Sequence, residues 1–280
     1  MLPVLAAVCV ACSSDENRDP TVPKVGSTTL QGVFTDSPVS GLSYSAGTHS
    51  GLTDTGGAFD FEAGDTLQLS LGGIVVGRAP ATTRMSPLNL ANASIVGHPL
   101  VTSIARFMQT IDDDGDVANG IQITDAQRAV AAGLAIDFAQ TPAVFESDPN
   151  VIAVVDTLTS VSAAGARTLL SAATAQAHLN ASLRAMYAGD YAGCYCRDNN
   201  GYGTSGGTWS MHVAADGAVD MTFTGTPSFQ AAGTMLLTGT VNIAVTDGPD
   251  IYGSFQPAFG GRWYLGNESG SFYERERCSN

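Results

Sequence analysis

The sequence predicts an α+β, multidomain chain: a small antiparallel β-sandwich, then a helical bundle, then a C-terminal antiparallel β-meander or small barrel. Three patterns carry that expectation. Apolar residues alternate with polar ones between about residues 28 and 80, recur every three or four positions between 98 and 188, and alternate again, punctuated by glycine, from 189 to 280. The 280 residues hold 12 Lys+Arg against 26 Asp+Glu, a formal net charge of -14, with 44% hydrophobic residues. That apolar share is enough to build cores. A single lysine, Lys24, and few arginines leave no basic patch for phosphate, which excludes nucleic acid as a partner.

In the first block, Gln31 to Tyr44 alternates short β-prone runs with turn residues, and Phe59 and Phe61 share one face of a strand after a Gly-rich turn. Leu67, Leu69 and Leu71 share another, Gly72-Gly73 breaks it, and Ile74-Val75-Val76 resumes. In the second block, Val101, Ile104, Ala105, Met108 and Ile111 fall on one helical face. Thr124 and Gln127 read as a capping box that opens a helix through Ala129, Val130, Leu134 and Phe138. Pro149 suits the start of a third helix through Val151, Val154, Val155 and Leu158. Leu169, Leu170, Ala173, Leu179, Leu183 and Met186 space out a long fourth helix within Ala163 to Tyr187. In the third block, Gly207 to Val213 and Val219 to Phe223 form a hairpin about Asp216-Gly217, within a meander of six or seven strands.

Motifs give these blocks an address. The string Asp36-Ser-Pro-Val-Ser-Gly-Leu-Ser-Tyr44, with Thr53 to Phe61 and Gly64 to Ile74, resembles the transthyretin-like, carboxypeptidase-regulatory-type sandwiches of exported bacterial proteins, which implies a structural or adhesive module. At the N-terminus, Leu2 to Ala11 is apolar but far shorter than the ~20 residues that span a bilayer. Val10-Ala11-Cys12 followed by Ser13-Ser14-Asp15 resembles a bacterial lipobox, with Cys9 where that motif carries Leu. The resemblance implies a signal peptide over 1–11, an acylated Cys12 that attaches the protein to a membrane, and a flexible tether over 12–27. Ser13, where an inner-membrane lipoprotein carries Asp, points to the outer membrane, on either face.

An exported chain meets an oxidising compartment, so Cys278 can pair with Cys194 or Cys196. The acidic run Asp112-Asp-Asp-Gly-Asp-Val-Ala-Asn-Gly120 offers Asp112, Asp114 and Asp116 at alternate positions, with Asn119 behind, as hard oxygen ligands for Ca²⁺. Val117 and Ile123 stand where an EF-hand has Gly and Glu, so the loop is similar instead to the looser dockerin-like kind; the alternative is a solvated acidic turn. The segment from Ile104 to Ile121 resembles one that recurs in exported lipoproteins and adhesin-like proteins.

Other chemistry is sparse. Ser205 sits in a Gly-x-Ser-x-Gly string but lacks the strand-to-helix setting of a nucleophile elbow. His49, His98, His178 and His212 are scattered. Tyr187, Tyr191, Tyr195, Tyr202, Trp209 and Trp263 suit either an aromatic surface for glycans or proteins or, the reading preferred, the core and rim of the meander. The expected role is a non-catalytic cell-envelope lipoprotein that binds, adheres or scaffolds, stabilised by calcium. The competing class is an envelope hydrolase acting on polysaccharide or ester, with a site between the helical block and the meander.

Overall fold

The computed structural model describes residues 28–199, 202–255 and 258–274. Contacts divide them after Met186 into two compact units. The first holds strands β1 (Leu30–Phe34), β2 (Val39–Ser40), β3 (Ser43–Ala46), β4 (His49–Leu52), β5 (Ala58–Phe61), β6 (Thr66–Leu71), β7 (Ile74–Pro80), β8 (Arg84–Met85) and β9 (Ile121–Gln122). Its helices are α1 (Pro87–Leu90), α2 (Pro99–Thr110), α3 (Asp125–Val130), α4 (Pro142–Ser147), α5 (Pro149–Ser160) and α6 (Ala172–Tyr187), the last ending at the unit boundary. No described helix is long and apolar enough to cross a membrane.

Strands β5-β1-β8 form one sheet and β4-β3-β6-β7 a second, fully antiparallel one. The alternation behaves as expected: Leu67, Leu69 and Leu71 of β6 and Phe59 and Phe61 of β5 all turn inward and are 0–2% exposed. Each such side chain contributes roughly 1.5–3 kcal/mol of gross transfer free energy. Two residues of β2 pair in parallel with β9, Val39 beside Ile121 and Ser40 beside Gln122, across some eighty residues of sequence.

The helices differ from the expected bundle. Ile104, Phe107, Met108 and Ile111 of the α2 segment and Val151, Val154, Val155 and Leu158 of α5 join one hydrophobic cluster with Phe34, Leu42, Phe59 and the β6 leucines. They complete the core of the sheets instead of enclosing one of their own. The reason lies in α2, where every residue from Val101 to Thr110 is buried. Its polar residues survive burial because they serve neighbouring backbone: Arg106 Nε donates to Leu170 O at 2.5 Å and Nη1 to Pro142 O at 3.3 Å, and Gln109 Nε2 donates to Ala175 O at 3.1 Å. The predicted helix beyond Thr124 does open on its capping box but ends at Val130, and Gly133 follows at φ +80. The long fourth helix begins only at Ala172.

The second unit is the predicted meander, with eight strands: β10 (Gly189–Asn199), β11 (Tyr202–Val213), β12 (Ala218–Gly225), β13 (Phe229–Thr234), β14 (Thr240–Ala244), β15 (Asp250–Phe255), β16 (Phe259–Leu265) and β17 (Glu268–Glu274). Each pairs antiparallel with its neighbours, and β17 returns to β10. A bridge between Met235 and Val241 spans the one seam, so the sheet is nearly closed into a barrel. The hairpin about Asp216-Gly217 has Val213 opposite Val219.

Rings fill the barrel: Tyr195, Trp209, Phe223, Phe259, Trp263 and Phe272 are all 0–2% exposed. They fit because each tryptophan faces a glycine across a ladder, Trp209 opposite Gly193 and Trp263 opposite Gly270. A β-carbon on Gly270 would come within 1.8 Å of the Cys196 carbonyl oxygen, the same oxygen that accepts the Trp263 indole N–H at 3.0 Å. Trp209 Nε1 donates likewise to Tyr273 O at 3.0 Å.

Candidate functional site

The acidic loop leaves α2 and leads into β9. Asp112 is fully buried: its Oδ1 accepts from Gln122 N at 2.8 Å, while Oδ2 has no hydrogen-bond partner. Burial, the largest effect, pushes Asp112 up to about 6, and the neighbouring Asp114 carboxyl adds to the rise. Asp114 is held below the usual carboxylate range, chiefly by Asn119 Nδ2, which donates to its Oδ2 at 2.9 Å, and by Asp116 N, which donates to Oδ1. Asp116 turns its own Oδ1 to Ala118 N at 3.2 Å, as the cap of a short 3-10 turn, Val117–Asn119. Arg167 lies alongside, with Nη2 donating to the Asp112 carbonyl and to Ser162 Oγ.

Of the four expected calcium ligands, then, Asp112 and Asp114 act on each other electrostatically, Asn119 is bonded to Asp114, and Asp116 caps the 3-10 turn. Among the described residues no three His, Cys, Asp or Glu side chains converge as a metal site. A buried carboxylate oxygen without a partner, with a second carboxylate as its electrostatic neighbour, nonetheless fits a hard cation, with Asp112 and Asp114 to hold it.

Of the proposed cysteines, Cys194 and Cys196 lie buried on β10 at 2% and 5% exposure. Neither is a free thiol, and no bridge is complete within the described residues. Cys12 and Cys278 lie outside the described residues. Ser205 stands inside β11 opposite Cys196, on a strand and not at an elbow.

One serine-histidine contact went unread in sequence. Ser37, at φ +75 in the turn after β1, lies 2.9 Å from His178 Nε2, beside the buried Asp36. The proton direction is wrong for a nucleophile. His178 Nε2 also meets the Asp36 carbonyl at 2.9 Å, an oxygen that only accepts, so Nε2 carries the hydrogen; Ser37 Oγ in turn donates to Val117 O at 2.6 Å. Burial, the dominant effect, lowers the His178 pKa.

The preferred reading of the aromatics agrees with the burial of Tyr195, Trp209 and Trp263 inside the barrel, with Tyr187 and Tyr191 against Phe255. The exposed rings are others: Tyr252 at 45% and Tyr264 at 42%, in edge contact at 5.8 Å, with Arg262 over the Tyr264 ring. Arg262 also pairs with Asp198. On the opposite flank, Asp190, Ser210, His212, Asp220 and Thr222 line a shallow, open hollow on the outer face of β10, β11 and β12, where His212 Nδ1 meets Asp190 Oδ1 at 2.7 Å. Strand parity could have found both groups once the register was known, since they occupy the positions alternate to the buried rings. Comparison of the chain with protein-family models, curated proteins and solved structures finds no match.

Proposed function

We propose that this chain is a non-catalytic lipoprotein of the bacterial outer membrane, anchored through acylated Cys12 and stabilised by calcium, which binds, adheres to or scaffolds a protein or glycan partner. The observation that carries this reading is the inside-out contrast of the barrel. Its interior is packed with rings, while Asp190, His212, Asp220, Asn242 and Arg262 stand exposed on its outer face. A lipid-facing barrel has the reverse pattern, so these strands face water and membrane attachment falls to the acyl chains. A filled interior leaves binding to the outer surface, where Tyr252, Tyr264 and Arg262 offer stacking and hydrogen-bonding groups together. The two sheets of the first unit are read as the transthyretin-like sandwich that the sequence resembles, and Cys278 as the partner of Cys194 or Cys196.

A second reading, a hydrolase of envelope polysaccharide or ester, is favoured by one feature: Ser210 lies in the same hollow as the His212–Asp190 pair. That pair is 59% and 87% exposed, so solvent screens it and little activation of a serine follows. Labelling with an alkyne fatty acid, followed by mass spectrometry of the mature N-terminus, tests the first reading. Acylation at Cys12, lost in Cys12→Ser, is expected; an uncleaved, unacylated terminus overturns the address. Fluorophosphonate labelling of Ser210, abolished in Ser210→Ala, would establish the hydrolase instead.

A further inference from the structure

We propose that calcium is seated on Asp112 and Asp114 alone, with water completing its shell, and that the bound ion locks β9 against β2. The proposal rests on the calcium-stabilised reading above and gives it a place and a consequence. Asp112 is 0% exposed, and its Oδ2 has no hydrogen-bond partner although it is buried. An uncompensated buried acceptor costs about 1–3 kcal/mol, more when charged. Its ionisable neighbours are another carboxyl, Asp114, and the Arg167 guanidinium. Two ionised carboxyls this close in the loop repel each other, and a bound cation relieves that repulsion.

Arg167 acts on both carboxyls only from a distance: its charge draws each pKa down, but the bonds of its Nη2 go to the Asp112 carbonyl and Ser162, and among the described residues no carboxylate oxygen lies within ion-pair distance of its guanidinium. The remaining loop residues hold the seat open. Asn119 and Asp116 N fix Asp114 from one side, and Gly115, at φ +75, turns the chain tightly over the Arg167 side chain. Asp114 and Gly115 are exposed on the outer side, which admits water ligands. Two carboxylates and several waters make a weak site, in the 10⁻⁴–10⁻³ M class of extracellular modules.

The consequence follows from Asp112 Oδ1, which accepts from Gln122 N. Gln122 belongs to β9, whose neighbours Ile121 and Ile123 donate their N–H groups to Pro38 O and Ser40 O at 2.9 and 3.0 Å. An ion that pins the Asp112 carboxyl therefore pins the strand that joins the loop to the first sheets.

The test is a thermal melt of the full chain in EDTA and in 10 mM CaCl₂, with amide hydrogen exchange read by mass spectrometry. Calcium should raise the first unit's melting temperature by about 3–11 °C and slow exchange across residues 121–123. Asp112→Asn and Asp114→Asn should each abolish both effects, while Asp156→Asn, an exposed carboxylate on α5, should retain them. Should Asp112→Asn fail to fold, Asp114→Asn decides, with calorimetric titration of CaCl₂ as the readout. A calcium response undiminished in Asp114→Asn overturns the seat and leaves the calcium reading standing. Calcium binding without slower exchange at 121–123 overturns the lock. A wild-type chain that neither binds calcium by titration nor shifts its melt overturns seat and calcium reading together.

Discussion

Replacing Arg106 by Met keeps the length of a buried stem on α2 and removes its guanidinium, which is 1% exposed. The loss can be worked from the contacts. The carbonyls of Leu170 and Pro142 lose their donors. At about 1–3 kcal/mol for each acceptor left unsatisfied, with the longer 3.3 Å bond counted at the low end, the sum is about 3 kcal/mol. The ion pair with Glu146 at 3.1 Å adds little, because that carboxylate is 66% exposed and solvent screens it. For a unit of this size, 3 kcal/mol corresponds to a fall of roughly 6–12 °C in melting temperature. Differential scanning calorimetry of Arg106→Met beside Glu146→Gln separates the contributions. The first variant should show nearly the whole fall and the second less than about 1 kcal/mol. If Glu146→Gln costs as much as Arg106→Met, Arg106 acts as an ion-pair partner and the carbonyl argument fails.

Two further expectations follow from other buried positions. Burial holds the Asp36 carboxyl well above the usual carboxylate range, only partly offset by the bond from Gln109, with His178 the titratable neighbour at its carbonyl. The folded state therefore keeps a proton that the unfolded chain gives up near pH 3.9, so this residue costs stability as pH rises; Asp36→Asn should match wild type at pH 3.5 and gain by about 1 kcal/mol per unit above pH 4, whereas a difference flat with pH in urea titrations would refute the assignment. Gly270→Ala should destabilise the barrel by at least 1–3 kcal/mol and red-shift tryptophan emission, because its β-carbon would meet Trp263 Nε1 at 2.6 Å; Gly97→Ala, with open space around it, should melt as wild type.

Where the sequence could be read, it was read through local signals. The capping box at Thr124, the proline that opens α5, and the hairpin at Asp216-Gly217 need no distant partner to be recognised. What escaped depends on partners. Periodicity reports that α2 has an apolar face but not that the sheets will cover it, so a shared core looked like a bundle. The stretch from Ala163 to Ser171 has helical spacing, yet Arg167 and Leu170 are drawn off to bond the acidic loop and α2, and tertiary contacts override propensity. In the loop, spacing proposed four ligands together; only the fold reveals that Asp116 caps a backbone turn and that Asn119 turns its amide N–H to Asp114.

The short parallel pair of β2 and β9 also bears on how this protein can evolve. A run of strands near a chain's beginning is often a portable cassette, free to be shuffled between genes. Here its second strand finds a partner only after the central helix has been traversed, and its oily side is roofed by that helix. Residues 28–90 expressed by themselves would lack both, so recombination must carry at least the stretch through Gln122 or break it.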